Sequence, residues 1–156
     1  MVVETTLDLG YLALFLGLRI NDIVRECGAA SGFPEMRDSY GYVIQHLIES
    51  ERTITELARR TEVSQQAISK TVAELVRRGI VESVPASDRR ARRIRLSARG
   101  WEAVTFTRRV RRRLEERLRR AIGPAEYRRA KRVLLNGLRL LGGMQRIRTR
   151  RIRVPQ

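Results

Sequence analysis

The stretch ITELARRTEVSQQAISKTVAELVRRGIVESVPASDRRARRIRL, Ile54 to Leu96, restricts the fold of this chain more than any other. Its local signals set two short helices, a strand, a basic turn and a second strand in that order. Thr53 and Glu56 stand in S/T-x-x-E spacing, in which each side chain satisfies a free amide at a helix start. Leu57 and Ala58 then face inward, Arg59 and Arg60 face water, and the chain turns at Thr61-Glu62. Ser64 caps a second helix. Val63 before it and Ile68 four residues after it have hydrophobic-staple spacing, which sets the angle at which the chain meets the helix. Ile68, Val72, Leu75 and Val76 recur at helical spacing and predict the buried stripe. Gly79, after Arg77-Arg78, ends the helix.

The exposed face of this second helix carries the chemistry. Gln65, Gln66, Ser69 and Lys70 occupy its first two turns, off the apolar stripe. Gln pairs bidentately with adenine, Ser reaches either base type, and Lys reaches guanine or phosphate. The N-terminal end of the helix also offers free amides to phosphate. A short helix presenting these groups after a capped turn is what a helix-turn-helix places in the major groove. Ile80–Val84 and Arg93–Leu96 alternate as strands do, around a polar, cationic tip from Pro85 to Arg92. Such a tip reaches an adjacent minor groove, whose negative potential attracts Arg.

LARRTEVSQQAISKTVAELVRRGIVES followed by SDRRARRIRLSARG resembles the winged helix-turn-helix of the MarR family of bacterial transcription factors. The most specific part is a D-x-R wing leading into a strand that ends in L-S/T-x-x-G. Asp88, Arg90, Leu96, Ser97 and Gly100 fit it, and the motif covers roughly residues 38 to 105. The resemblance implies a dimer whose second helix enters the major groove and whose wing Arg enters the minor groove. Arg90 is then the wing Arg and Asp88 the residue that orients it. Glu62 departs from the pattern, because many helix-turn-helix turns have Gly there. A non-Gly residue must adopt a less favourable backbone angle or a slightly different turn.

Length and composition bound what surrounds this unit. At 156 residues the chain is one domain, or one domain with extensions. Lys70 and Lys131 are the only lysines, so nearly all positive charge is Arg. A GC-rich genome explains Arg over Lys, but not 33 basic residues against 17 acidic ones. A net charge of +16 points to a polyanionic partner, most often nucleic acid. One Cys excludes an intramolecular disulfide, and nothing indicates secretion. The apolar run Tyr11–Leu18 is shorter than the roughly 20 residues that span a bilayer. Glu4 and Asp8 stand where a signal peptide is positively charged, so no membrane association and a cytoplasmic location are expected.

The composition offers little to an enzyme. One His and one Cys on different predicted helices build neither a metal cluster nor a Cys/His pair. Ser31-Gly32 and Gly142-Gly143 lack a phosphate-loop pattern. No catalytic residue, metal or cofactor is expected. RNA binding lacks its stacking platform, because aromatics are 5% of the chain and mostly fall on apolar faces.

The flanking segments read as helices. Helix 1 is expected from Thr6 to about Cys27, with Leu7, Tyr11, Leu14 and Leu18 at 4-3-4 spacing and Gly28 ending it. Leu12, Phe15, Leu16 and Ile20 make it apolar almost all round, so it needs cover on more than one side, naturally from a second subunit. Helix 2, capped by Asp38 or Ser39, carries Tyr40, Val43, Ile44, Leu47 and Ile48 at core spacing. Ser97 caps helix 5, with Leu96 and Trp101 as a staple pair, and the helix runs to about Ala121. Val104, Val110, Leu114 and Leu118 form a narrow seam amid arginines, as in a coiled-coil arm. Pro124 opens helix 6 at its first position, and Gly142-Gly143 closes it. In the tail, Arg alternates with Ile147, Ile152 and Val154. This fits a frayed terminus, an arm on phosphates or a partner, or a short strand.

The expected fold class is mainly α with a small β-hairpin wing, a winged helix-turn-helix with a helical dimerisation arm. Residues 1–37 form an N-terminal dimerisation helix and loop, and 38–97 the winged helix-turn-helix. Residues 98–143 form C-terminal dimerisation helices, and 144–156 a basic tail. The expected function is that of a sequence-specific regulator of transcription. It would be a repressor binding a near-palindromic operator in double-stranded DNA as a homodimer and released by a small effector. Ser64, Gln65, Gln66, Ser69, Lys70, Asp88, Arg89, Arg90, Arg92 and Arg93 are the candidate DNA contacts. The family resemblance implies small aromatic or anionic effectors between the arm and the DNA-binding lobes. Tyr11, Arg37, Tyr40, Tyr42, His46 and Trp101 are candidate lining, each with an alternative role as core or surface residue. Two other readings stand beside this one. A nonspecific architectural DNA-binding protein needs the same basic surplus. An oxidant-sensing regulator would use Cys27, although related sensors carry the reactive Cys near the start of that helix rather than its end.

Overall fold

The computed structural model of the chain describes residues 6–33, 37–85 and 92–149. Among the described residues, seven helices and one hairpin follow in the order α1 (Leu9–Ala30), α2 (Asp38–Leu47), α3 (Ile54–Thr61), α4 (Gln65–Arg77), β1 (Val81–Pro85), β2 (Arg92–Leu96), α5 (Ala98–Ile122), α6 (Pro124–Leu140) and α7 (Met144–Thr149). The expected class, mainly helical with a hairpin wing, is the one found.

The winged unit closes around its own core. Tyr40, Val43, Ile44 and Leu47 of α2 meet Leu57 and Ala58 of α3 and Ile68, Val72 and Leu75 of α4. Ile80, Val81, Ile94 and Leu96 of the hairpin and Ala103 and Val104 of α5 complete the cluster. Burying each large apolar side chain contributes about 1.5–3 kcal/mol. β1 and β2 pair antiparallel from Val81 opposite Leu96 to Pro85 opposite Arg92. Arg52, just before α3, adds a bridge to Ile94: Arg52 N donates to Ile94 O at 3.0 Å and Ile94 N to Arg52 O at 2.7 Å. This link ties the wing to the start of the helix-turn-helix and had no sequence signal.

Ser97 and Gly100 join the hairpin to α5. Ser97 Oγ donates to Gly79 O at 2.5 Å and accepts from Gly100 N at 3.0 Å, while Ser97 N donates to Ile80 O at 3.1 Å. A Cβ at Gly100 would lie 2.1 Å from the Ile80 carbonyl oxygen. That closeness is the physical reason for Gly at the end of the L-S-x-x-G pattern.

Several local expectations need correction. α1 runs on through Gly28 and ends at Ser31-Gly32, where Phe33 N reaches back to Gly28 O at 3.0 Å and Gly32 takes φ 76°. Asp8 caps it by accepting from Tyr11 N. α2 begins after Arg37, whose side chain makes no capping bond, so neither Asp38 nor Ser39 is the cap. Val76 lies at the edge of the α4 stripe and is 44% exposed, as is Trp101, which therefore sits on the surface of α5 rather than in the core. Residues 144–149 are helical, which replaces the strand reading there; Arg150 to Gln156 lie outside the described residues.

The arm has a different character. The second half of α1 lies along α5, and Arg111 Nη2 donates to Asn21 Oδ1 at 2.6 Å. Phe33 and Phe106 add a ring contact at 5.0 Å. In the first half of α1, Leu9, Tyr11, Leu12, Leu14, Phe15, Leu16 and Leu18 are all exposed. Neither α1 nor α6 buries a single residue, and Val133, Leu134, Leu135 and Leu138 of α6 also face outward. Pro124 starts α6 as expected, and Gly142 at φ 71° ends it. Among the described residues, no helix is long and apolar enough to cross a membrane.

Candidate nucleic-acid interface

The helix-turn-helix is built by two caps and one strained turn. Thr53 Oγ1 accepts from Glu56 N at 3.2 Å and Glu56 Oε2 accepts from Thr53 N at 2.8 Å, so the expected reciprocal cap is complete. The bond from the Thr53 amide holds the Glu56 carboxyl below its ordinary range, despite partial burial. Thr61 is buried, and its hydroxyl donates to Leu57 O at 2.8 Å. Glu62 then takes φ 60° and ψ 34°, the left-handed conformation anticipated from the missing Gly. Ser64 Oγ accepts from Ala67 N at 3.2 Å and starts α4, while Val63 packs against the core.

With Ile68, Val72 and Leu75 buried, α4 turns its other edge outward. Gln65, Gln66, Ser69 and Lys70 are all exposed, as is Ser64. They form two rows, 65–69 and 66–70, each with neighbours one turn apart and roughly 5–6 Å between Cβ atoms. Ala73 and Arg77 are exposed too and continue this edge at helical spacing, an extension the sequence reading missed. The signal was present in the period of the helix, but Arg77 was read only as an end marker.

A buried strut holds the roll of α4. Tyr40 of α2 is 1% exposed, and its Oη donates to Glu74 Oε2 at 2.6 Å. Arg37 Nη1 lies 3.5 Å from the same oxygen, and the Arg78 guanidinium sits 5.5 Å from the Tyr40 ring centroid. Burial, then the bond to Glu74, raises the Tyr40 phenol above its ordinary value; the Tyr40 bond lowers the Glu74 carboxyl. Nothing in the sequence pattern announced this connection, because it spans 34 residues.

The wing carries part of the expected basic set. Arg92 is exposed on β2. Arg93 Nε lies 3.8 Å from Glu51 Oε1, and Arg95 Nε bonds Glu82 Oε1 at 2.7 Å across the hairpin. Asp88, Arg89 and Arg90, at the tip, lie outside the described residues.

The candidate effector residues are distributed over α1, the segment before α2, α2 and α5. Arg37 and Tyr40 converge on Glu74. Tyr40 and His46 are buried, Tyr42 is half-buried, and Tyr11 of α1 packs on Phe15 with ring centroids 4.9 Å apart. Cys27 lies in the last turn of α1, half-buried, near an Arg25–Asp22 ion pair.

A capped two-helix reader beside a β-hairpin, both on one core, defines a winged helix-turn-helix protein. Residues 36–92 match the family model for the MarR family. Three solved structures illustrate the likeness. A Staphylococcus aureus MepR variant bound to an oligodeoxyribonucleotide is 16% identical, covering 86% of this chain and 99% of that one, with a TM-score of 0.64. The reduced form of MarR from E. coli is 18% identical over 85% and 97%, with a TM-score of 0.68. A transcriptional regulator from Thermotoga maritima is 18% identical over 86% and 92%, with a TM-score of 0.59. At these identities the likeness is one of fold. A comparison with curated proteins gives no significant match.

Proposed function

We propose that the protein is a sequence-specific repressor that reads a near-palindromic operator as a homodimer and releases it when a small aromatic or anionic effector binds. The observation that carries this is the exposed edge of α4, where Gln65, Gln66, Ser69 and Lys70 stand clear of a rigid core beside the hairpin. α4 lies in the major groove, and the tip with Asp88, Arg89 and Arg90, flanked by Arg92 and Arg93, reaches the neighbouring minor groove. The MepR variant bound to an oligodeoxyribonucleotide supports the DNA reading by analogy of fold.

Dimerisation rests on the apolar surface of α1 and α6. In this division 38–97 reads DNA, 1–37 and 98–143 pair the subunits, and 144–156 is a basic tail. Two-fold symmetry then sets half-sites about one helical turn apart. Among the proposed effector residues, Tyr11, Arg37, Tyr42 and Trp101 are at least partly accessible, whereas Tyr40 and His46 are buried. An effector acts only through different affinities for the two spacings of the reading heads.

Sequencing DNA recovered from a binding selection tests this reading; inverted half-sites with about 10-bp spacing are expected. Equal recovery of unrelated duplexes would instead favour an architectural protein, because a regulator prefers its operator by about 10³ or more. Replacing Gln65 or Gln66 by Ala should cost about 1–3 kcal/mol at particular base pairs. Replacing Arg90 by Ala should flatten the dependence of binding on salt by about 0.9 in log–log slope.

A further inference from the structure

The basic surplus is not where the reading head is. Residues 38–97 hold eleven basic against eight acidic residues, a surplus of three. Residues 98–143, all described, hold fourteen against four, a surplus of ten. Biased base composition would favour Arg throughout the chain and does not account for this concentration.

The arrangement within α5 is ordered. Ala103, Val104 and Val110 are buried, and Leu114 and Leu118 are half-buried, which assigns one side of the helix to packing. Arg108, Arg112 and Arg119 form a row on the other side at i, i+4, i+11 spacing, and Arg109, Arg113 and Arg120 form the row beside it. All six are exposed, and each row spans about 16 Å of helix axis. Glu115 is already engaged by Lys131 at 2.7 Å, and Glu126 by Arg129 at 3.6 Å. No carboxylate among the described residues forms an ion pair with these six arginines. Arg108 with Arg112 and Arg109 with Arg113 are like charges one turn apart, which disfavours a helix, and exposed Glu116 between the rows offsets only part of that cost. A linear polyanion relieves that cost, and Arg matches phosphate oxygens bidentately.

We propose that the arginine face of α5 is a second DNA-binding surface, one that grips the phosphate backbone of duplex DNA without regard to sequence. It would act together with the winged head, and it rests on the reading above that this head binds DNA. Duplex DNA presents a charge every ~1.7 Å of its axis, so two parallel rows of guanidinium groups find phosphates in any register. The contacted duplex is either the flank of the operator or a second segment; the chemistry is the same.

The test uses the full-length protein and two probes, a selected operator duplex and a random-sequence duplex of the same length. In the variant with Arg108, Arg112 and Arg119 all replaced by Gln, the log–log salt slope on random DNA should fall by about 0.9 per lost phosphate contact, roughly 3 per subunit. The matching triple Lys variant should retain most of the slope. Heat stability without DNA should not fall, because like-charge repulsion has been removed. Should the triple variant misfold, Arg112→Gln alone should still lower the slope by roughly 1. An unchanged slope in the Gln variants, or equal loss in the Gln and Lys variants, overturns the proposal. Competition by polyglutamate as effective as that by DNA would do so too, by pointing to an acidic protein partner. Lengthening the operator duplex or adding a second labelled duplex tells flank from bridge, and either result supports the surface. Failure of the head reading looks different: Gln65→Ala and Gln66→Ala would leave the operator-to-random ratio untouched, whatever the arm variants do.

Discussion

The winged unit and the helical arm are built on opposite principles. In the first, three helices, a hairpin and the start of α5 each turn an apolar face toward one centre, and Leu57, Leu75 and Ile80 are completely enclosed. In the second, α1 and α6 bury nothing, and leucines stand in rows on the outside. An exposed apolar surface of this extent marks an interface. The winged unit completes its core within one chain, whereas α1 and α6 leave their apolar faces open. The winged unit therefore holds its shape through contacts within one chain, and under the proposed function the arm would need a second subunit to do so.

The largest expected effect attacks the arm. Replacing both Leu14 and Leu134 by Glu should weaken subunit association by at least about a thousandfold, since each buried leucine contributes about 1.5–3 kcal/mol and every 1.4 kcal/mol is tenfold. Sedimentation velocity would read this, and a variant that stayed dimeric would erase the contrast drawn here. Next comes the closed core. Leu75→Ala should lower unfolding stability by about 2–5 kcal/mol in a denaturant titration, whatever the protein concentration. A concentration-dependent loss would mean that the winged unit, too, leans on the dimer. Between the regions, Gly100→Ala should cost about 1–3 kcal/mol, because the Ile80 carbonyl must move to admit a methyl group.

Acid sharpens the comparison further. The Glu56, Glu74 and Glu115 carboxyls are all lowered, by bonds from the Thr53 amide, the Tyr40 hydroxyl and Lys131 respectively. A carboxyl lowered on folding contributes stability that is complete above its unfolded value, about 4.3, and is lost as pH falls through the folded one. Glu56→Gln should flatten the acid limb of the stability curve for the winged unit, and Glu115→Gln that for the contact of α5 with α6. Equal curves for both variants and the parent would remove these bonds from the account. The smallest effect is a gain. Glu62→Gly should add about 0.5 kcal/mol, relief of the left-handed backbone being partly offset by the greater freedom of unfolded Gly. No change in melting temperature would show that the strain is absorbed elsewhere.

Legibility followed the same division. The Thr53–Glu56 box, the Ser64 and Ser97 caps and Pro124 are interactions over three or four residues, and the sequence pattern carries them. The exposed edge of α4 was legible because the buried stripe leaves it no other orientation. Gly28, Val76 and the cap of α2 were misread where local preference is weak and neighbouring packing decides. The Tyr40–Glu74 strut and the Arg52–Ile94 bridge join positions more than thirty residues apart, beyond the reach of any period. The concentration of charge in 98–143 is a matter of counting, but its meaning waited on the helix faces that α1 and α6 leave open.

The amino-acid sequence alone determined the fold class of this protein, the position of α4 and the polarity of its outer edge. Hydrogen bonds and apolar periods of short range settle those features before any distant contact forms. Only the tertiary structure decided the roll of α4 against α2, the seating of the wing on α3 and α5, and which side of α5 keeps its arginines in water. Those depend on groups far apart in the chain, and they exist only once the core has brought them together.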